Sequence, residues 1–446
     1  VNSQLAACGM NPAGTPYQKE KGIEDNAKLM FEDTMKGGKN VSNPELAKIL
    51  AERSADSIKW LADRGAVLSH VGRGGGASAA RMHGPAGGVF VGPYLSKFFR
   101  DHAKETNLDL RLNSKMVKLY PDDKGNVTGA LIKGKHSGLY RINAKAVVLA
   151  TGGIGANAKL VQSLRPDISA DVKTSNQPGS QGDGMVLAQK VGAAVVDAKE
   201  IQLNPTLLVG SPVIVSETVR GAGAVFVNRE GKRFINEGLL CDYPMSYGSE
   251  QILLNAPWYG IVDQAYVDAM TTQGLYEYTT AKGATSENWF IGNYFKDRIL
   301  DNLPSDIEEG LKEGWLVKAD TIEELGEKFG LTHLAETVAK YNEYCEKGVD
   351  EQFGANKWYL SPIKEGPFYA VQCEPSAWST FGGVRTDDCC RALDLDNQPI
   401  DGLYVAGTDS GSLYYSPYYD IPGFCYGLCI DSGYICAEEA AAFVKA

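Results

Sequence analysis

The chain has 446 residues, 43% hydrophobic and 22% charged, which is ordinary for a globular protein and long enough for two domains or one large α/β unit with an insertion. Its net charge of −11 argues against nucleic acid or an anionic membrane surface as partner. No apolar run approaches the ~20 residues that span a bilayer, so a soluble protein is expected.

Residues 43–65 carry apolar side chains at helical spacing, with Asn43 as N-cap and Gly65 as stop. A second helix is expected over 93–106. From 108 to 142, short alternating runs broken by DDKGN and GKHSG predict an antiparallel meander with tight turns. Ala146-Val147-Val148-Leu149-Ala150 is an unbroken apolar run ending in Thr151-Gly152-Gly153, the pattern of a buried parallel strand whose C-terminal end faces a ligand. Gly182-Asp183-Gly184 opens an amphipathic helix to about residue 191, with Asp183 as N-cap. From 205 to 362 the chain is richer in aromatics and charged helices, and reads as an inserted cap. Short strands return near 370, Leu403-Tyr404-Val405-Ala406-Gly407 repeats the strand-then-glycine pattern, and a helix from about Gly427 closes the chain. The predicted fold is α/β, a discontinuous Rossmann-like domain (1–204 and 363–446) enclosing an α+β capping domain (205–362).

The fifty glycines cluster in pairs and triplets. Three such segments, VVLATGG, GDG and GLYVAGTDSG, follow a strand or open a helix. Each alone reads equally well as a plain turn; together they make one dinucleotide cradle of backbone N–H groups and helix N-termini. The nine cysteines form no Cys-x-x-Cys or Cys-x-x-Cys-His, which removes c-type haem and argues against an iron–sulfur site. Cys389, Cys390, Cys425 and Cys429 read as packing or surface thiols, and no metal site is expected.

The segments LAACGMN, FEDTMKGGKN, GGASAARMHGPAGG, VVLATGG, SNQPGSQGDG, SETVRGAGAVFVNREGKRFINE and GLYVAGT occur in one order. Together they resemble the flavoprotein family of fumarate reductases and 3-ketosteroid dehydrogenases, from Asn2 to the last helix. The family is FAD-dependent and moves hydrogen across a C–C bond next to a carbonyl. It opens with a βαβ unit carrying G-x-G-x-x-G, whereas this chain starts at Val1 after that point, so roughly 40 further residues are expected upstream. Gly72-Arg73-Gly74-Gly75-Gly76-Ala77 follows no strand pattern and is a poor substitute. The resemblance implies that Asn2 and Ser3 close on the cofactor, that Gly9, Met10 and Asn11 lie along the isoalloxazine, and that Val117 flanks the adenine. It places Ala150, Thr151, Gly152 and Gly153 at the phosphates, Asp183 at the helix start nearby, and Gly407 and Thr408 at the ribityl chain. Met10 and Val117 read equally as core packing.

Fumarate reductases bind a dicarboxylate with histidines and arginines. By resemblance Glu217 and Arg220, with Ser216 beside them, keep the proton relay, or else form a structural ion pair. The proton-donating arginine falls on Cys241, with Tyr243 two residues on as another donor. The two substrate histidines fall on Asn204 and Ser379, and the carboxylate-clamping arginine on Asp420. Every change removes a cation or a proton donor, and each lost charge-assisted bond weakens a dicarboxylate by roughly 1.5–3 kcal/mol. In its place Tyr419-Asp420-Ile421-Pro422-Gly423 resembles the Tyr-x-x-Pro-Gly element of 3-ketosteroid dehydrogenases, in which a phenol and the glycine N–H hold a substrate carbonyl as an oxyanion hole. Tyr419 read without the resemblance is a packed turn aromatic; Tyr414, Tyr415, Tyr418 and Tyr426 are a flat pocket wall or a core cluster. His83 lies beside the flavin or is structural. The expected function is reduction or formation of the C=C bond of an α,β-unsaturated carbonyl compound such as a 3-ketosteroid-like enone, with hydride from flavin N5 to the β-carbon. An enoate reductase and a non-catalytic flavin-binding subunit are the alternatives. Electrons are expected from an external donor, a redox protein or reduced flavin, and the compartment is left open between bacterial cytoplasm and export.

Overall fold

The computed structural model describes residues 2–87, 89–168, 172–208, 223–240, 242–285, 287–289, 291–292 and 296–446. The helix Pro44–Ala62 forms where its spacing predicts. Asn43 accepts from Glu45 N–H and Leu46 N–H, Pro44 occupies the first turn, and Leu46, Leu50, Ile58 and Leu61 are buried along one face. The helix Val91–Glu105 follows.

The strands β1 (His70–Gly72) and β2 (Met82–Gly84) pair antiparallel. The meander is present as β3 (Ser114–Pro121), β4 (Val127–Gly134) and β5 (Gly138–Asn143), all antiparallel. Next come β6 (Val147–Leu149), β7 (Val195–Val196), β8 (Ile201–Leu208), β9 (Val225–Val227), β10 (Trp258–Asp263), β11 (Leu316–Ala319), β12 (Phe368–Thr380), β13 (Gly383–Val384), β14 (Arg391–Leu393) and β15 (Pro399–Val405). β6 runs parallel to β15, with Val147, Val148 and Leu149 opposite Leu403, Tyr404 and Val405. Being the edge of the order β14-β15-β6, it is not fully buried: Leu149 is covered while Val148 is 42% exposed.

The cap is built on a five-stranded sheet, β11-β12-β10-β9 with β8 on β12. Alternate residues enter two cores. Phe226, Trp258 and Val262 face one, with Tyr266, Met270 and Trp289. Val225, Val227, Tyr259 and Ile261 face the other, with Leu325 and Tyr341. Because both faces are covered, β10 reads as a continuous apolar run. The expected borders at 204/205 and 362/363 fall within and just before strands of this sheet. β8 crosses the first, and β12, expected in the second part of the Rossmann-like domain, pairs with β8, β10 and β11 and ends beside Gly153.

The helix Asp183–Gln189 starts differently from expectation. Gly182, at φ 78°, is its N-cap, since the chain enters from a left-handed turn that glycine adopts without penalty. Asp183 is the first helical residue, and its carboxylate pairs with Lys115 at 2.9 Å. The last helix, Phe424–Lys445, begins directly after Gly423, three residues before the expected start.

Candidate functional site

The three glycine segments meet. Asp409, 1% exposed, sits just after Gly407-Thr408 at the C-terminal end of β15, and its carboxylate accepts from Thr151 N–H and, at 3.0 Å, from Thr151 Oγ1. Thr151 Oγ1 in turn accepts from Gly184 N–H at 2.8 Å. One hydrogen-bonded clasp therefore ties VVLATGG, GDG and GTDSG together. Burial lifts the Asp409 carboxyl to about 6, against the pull of its bonds to Thr151. A Cβ on Gly184 would fall 2.7 Å from Thr151 Oγ1 and 2.8 Å from Asp409 Oδ1, so this glycine is a requirement of the clasp. Asp409 is absent from the residues picked out by sequence; its one signal was an acid in a loop following a parallel strand.

Around the clasp, Ala150 and Thr151 are exposed at the strand end, and Gly152 has φ 86°. Gly153 is buried so close to Thr380 that a Cβ would lie 2.2 Å from its hydroxyl. Gly407 N–H donates to Ser432 Oγ at 2.8 Å, and Thr408 is half-buried beside it. Val117 is the extra residue of a bulge between Met116 and Lys118, half-buried in the meander.

The segment from Asn2 to Asn11 packs against these elements. The Asn2 side chain is spent within the protein: it donates to Asn176 Oδ1 (2.5 Å) and Ser180 Oγ (3.0 Å) and accepts from Gln177 N–H (2.7 Å). Ser3 helps to line a groove of about 270 Å³ with Arg100, Tyr426 and Cys429. Gly9 passes so near β2 that a Cβ would lie 2.0 Å from His83 O, and Met10 exchanges two backbone hydrogen bonds with His83, at 2.8 and 2.7 Å. The Met10 side chain is core, packed with Ile58, Leu61 and Leu95. Asn11 is 2% exposed and its Nδ2 has no partner among the described residues.

His83 is structural. Its Nδ1–H donates to Arg81 O and its Nε2 accepts from the Thr15 hydroxyl, both at 2.7 Å, and burial pushes its pKa down to about 4. It is neutral, with both ring nitrogens engaged.

The turn Tyr419 to Gly423 lies over this segment. Gly423, φ 86°, is the N-cap of the last helix, and a Cβ there would sit 3.0 Å from Gly9 O. The Tyr419 ring packs on Tyr418 (centroids 4.6 Å apart) and edge-on to Tyr414 (6.4 Å). Burial, then the neighbouring Tyr418 phenol, raises the Tyr419 phenol well above its ordinary range. The tyrosines are thus a packed cluster, in which Tyr414 is buried and its hydroxyl has no partner among the described residues.

Asn204 and Ser376 are directly opposed on β8 and β12, both fully buried, and Asn204 Nδ2 and Ser376 Oγ have no partner among the described residues. Asp420 accepts from Ser246 of the cap. The loop Gly74-Gly75-Gly76 is no phosphate fingerprint: Cβ atoms would meet Pro422 at 3.0 Å, Tyr243 O at 2.0 Å and Asp420 O at 2.7 Å, so its glycines allow backbone to pack between cap and turn. Tyr243 is 39% exposed and lines a cleft of about 360 Å³ with Asp242 and Trp358. Ser216, Glu217, Arg220 and Cys241 lie outside the described residues. Ser379 is half-buried near the end of β12. Asp387, Asp388 and Cys389 bring ligand atoms together, but the Asp387 carboxylate is already held by Arg391 at 2.7 Å.

The glycine clasp, the unpartnered Asn11 amide and the side-chain-free approach at Gly9 fit a long cofactor bearing phosphates and a flat ring. Comparison with known proteins agrees. Residues 1–423 match the family described as FAD binding domain. The chain is 37% identical over 446 residues to a fumarate reductase (cytochrome) of Shewanella frigidimarina, covering 100% of this chain and 71% of the relative. An open-conformation flavocytochrome c3 fumarate reductase superposes with TM-score 0.76 at 35% identity, covering 99% of this chain and 72% of that one. A 3-ketosteroid Δ1-dehydrogenase from Sterolibacterium denitrificans shares the fold, with TM-score 0.77 at 18% identity and coverage of 99% and 92%. Among the described residues no helix is long and apolar enough to cross a membrane.

Proposed function

The chain belongs to the FAD binding domain family and is an FAD-dependent oxidoreductase of the fumarate reductase type, and from that premise we propose that it reduces the C=C bond of an α,β-unsaturated carbonyl compound, a flat enone of the 3-ketosteroid kind. Bound FAD supplies the hydride to the β-carbon. Gly9, Asn11, Gly152, Gly153, Gly407 and Thr408 hold it, with Asp409 and Thr151 fixing the loops that carry them. The Tyr419 O–H and the Gly423 N–H donate to the substrate carbonyl oxygen as it gains negative charge. Tyr419 stays protonated across the physiological range because burial opposes the phenolate, and Gly423 presents its N–H at the positive end of a helix of 22 residues. Tyr243 is the proton donor to the α-carbon in this reading, with Glu217 and Arg220, by resemblance, as the pair that resupplies it.

The observation that supports this reading is the contact between the turn and the Gly9 segment, 3.0 Å from a Gly423 Cβ to Gly9 O. That contact sets the Gly423 backbone against the stretch expected to run along the isoalloxazine, in the same turn that carries Tyr419. Where a dicarboxylate needs cations, this chain has by resemblance the neutral amide of Asn204, the hydroxyl of Ser379 and, at Asp420, an acid that accepts hydrogen bonds and repels an anion. A second reading, an enoate reductase, is favoured by the 37% identity to a fumarate reductase.

Anaerobic reoxidation of the dithionite-reduced holoprotein, followed by flavin absorbance, separates them. A 3-keto-4-ene steroid is expected to reoxidise the flavin rapidly. Tyr419→Phe is expected to slow that step by roughly 10²-fold, the range found for loss of one oxyanion donor. Fast reoxidation by fumarate or a cinnamate instead, or a Phe variant as fast as wild type, would overturn the enone reading.

A further inference from the structure

Asp420 stands between Tyr419 and Gly423, and both of its acceptor groups reach the cap. Its carboxylate accepts from Ser246 Oγ, and its backbone carbonyl accepts from Met245 N–H at 3.2 Å. Both donors belong to the start of the cap helix Met245–Leu254, whose first N–H groups have no partner inside the helix. One residue of the turn thus holds the first turn of a cap helix twice, its carbonyl taking a backbone N–H and its carboxylate a side-chain hydroxyl.

The surroundings are shaped around that contact. Gly76 and Gly74 let the glycine loop run flush against Asp420 and Pro422. Lys39, just after the helix Ala27–Gly37, makes a second crossing to Glu250 of the same cap helix at 3.8 Å, though both groups are largely exposed and the pair contributes little by itself. Outside lies a cleft of about 460 Å³, with Asp420 and Ser246 themselves in its wall beside Lys36, Arg73 and Tyr247. The packed Tyr414–Tyr418–Tyr419 cluster continues from the same turn. The Asp420–Ser246 contact therefore stands at the junction of an outer cleft, the cap helix and the carbonyl-holding turn.

We propose that Asp420 is a positioning residue and the latch of the cap: by holding Ser246 and Met245 it fixes the turn so that Tyr419 and Gly423 converge on one oxygen, and substrate passes from the outer cleft while the latch is open. What is positioned rests on the enone reading; the latch itself does not. Closing the cap and setting the donors are then one event. Near-attack placement of this kind changes the rate of the chemical step more than substrate binding.

The test uses FAD-loaded protein. Ser246→Ala and Asp420→Ala remove the side-chain bond, whereas Ser246→Thr and Asp420→Asn keep a donor and an acceptor. Backbone hydrogen exchange without substrate is expected to rise several-fold in the Ala variants in two separate stretches, 243–254 and 416–424, and to stay near wild type in the conservative pair. In stopped-flow reoxidation by a 3-keto-4-ene steroid, the Ala variants are expected to lose ~10-fold in limiting rate with half-saturating concentration nearly unchanged. A general loss of folded enzyme would reduce the amplitude and leave the limiting rate alone. Exchange that rises in one stretch only or in neither, or conservative variants as impaired as the Ala ones, overturns the latch. Coupled exchange with an unaltered limiting rate overturns the positioning role. Coupled exchange in protein that no steroid reoxidises, wild type included, supports the latch and sinks the enone reading alone.

Discussion

Asp431 lies in the middle of the last helix, 2% exposed, with no cation beside it among the described residues. Ser57 Oγ contacts both the Asp431 carboxyl and, at 3.0 Å, the Ser54 carbonyl. One hydroxyl hydrogen cannot serve two acceptors, so a protonated carboxyl that donates to Ser57 satisfies all three groups. Burial raises its pKa from 3.8 to about 7 accordingly. Since the folded state holds this proton more tightly than the unfolded chain, unfolding releases it between pH 4 and 7. The associated stability is full below about pH 4 and lost as pH rises to 7, on the order of 4 kcal/mol. Asp431→Asn is expected to remove that slope, so that the variant is more stable than wild type at pH 8 and the two converge near pH 4. Urea unfolding at the two pH values measures it. A sequence carries no such information, because an acid at this place in a helix pattern reads as a solvated face.

At the scale of elements, glycine is where residue type and role part company. Gly184 and Gly433 both lie inside helices. A Cβ at Gly433 meets nothing within 4 Å, so Gly433→Ala is expected to stabilise by about 0.5–1 kcal/mol, the ordinary helix-propensity gain. The same change at Gly184 drives a methyl into the Asp409–Thr151 clasp. We expect Gly184→Ala to weaken FAD retention by roughly 10-fold, about 1.4 kcal/mol, within the usual cost of overpacking. Flavin fluorescence on dilution reads the second effect and thermal unfolding of the holoprotein the first. The clasp also shows why the cradle was legible in part. Strand ends rich in small residues announce themselves, whereas Asp409 and the left-handed entry at Gly182 depend on how three loops meet. The turn before the last helix was legible because Pro422 and Gly423 restrict the backbone within five residues. What Asp420 holds was not, since Ser246 is 174 positions away.

For the molecule as a whole, helix spacing, the meander and the parallel pair could be read from local pattern, but the limits of the cap could not. β12 draws its partners from far upstream, at 201–208, 258–263 and 316–319, and long-range pairing of that kind leaves no local mark. The cap is also held by charge. Arg233 is buried between the rings of Tyr341 and Phe353 and paired with Glu237 at 2.6 Å and Asp350 at 2.8 Å. Removing Arg233 leaves the two buried carboxylates uncompensated, and Arg233→Ala is expected to destabilise by roughly 3–5 kcal/mol. Because β12 joins cap and flavin side in one strand, the loss is expected to appear as a single transition, with far-UV circular dichroism and flavin release sharing one midpoint. Two separated midpoints would show the cap melting by itself.

β12 is 13 residues long, and its far end, Thr380, touches Gly153. For anyone wishing to splice in the lid of a relative with another substrate, this strand dictates the junctions. A graft cut at 205 and 362 would divide β8 and part β10 and β11 from β12, the strand that pairs with all three. Junctions before Ile201 and after Thr380 would carry the whole sheet, including Asn204 and Ser376, as one exchangeable cassette. The recipient would still have to supply an acid at position 420 for the new lid to fasten to.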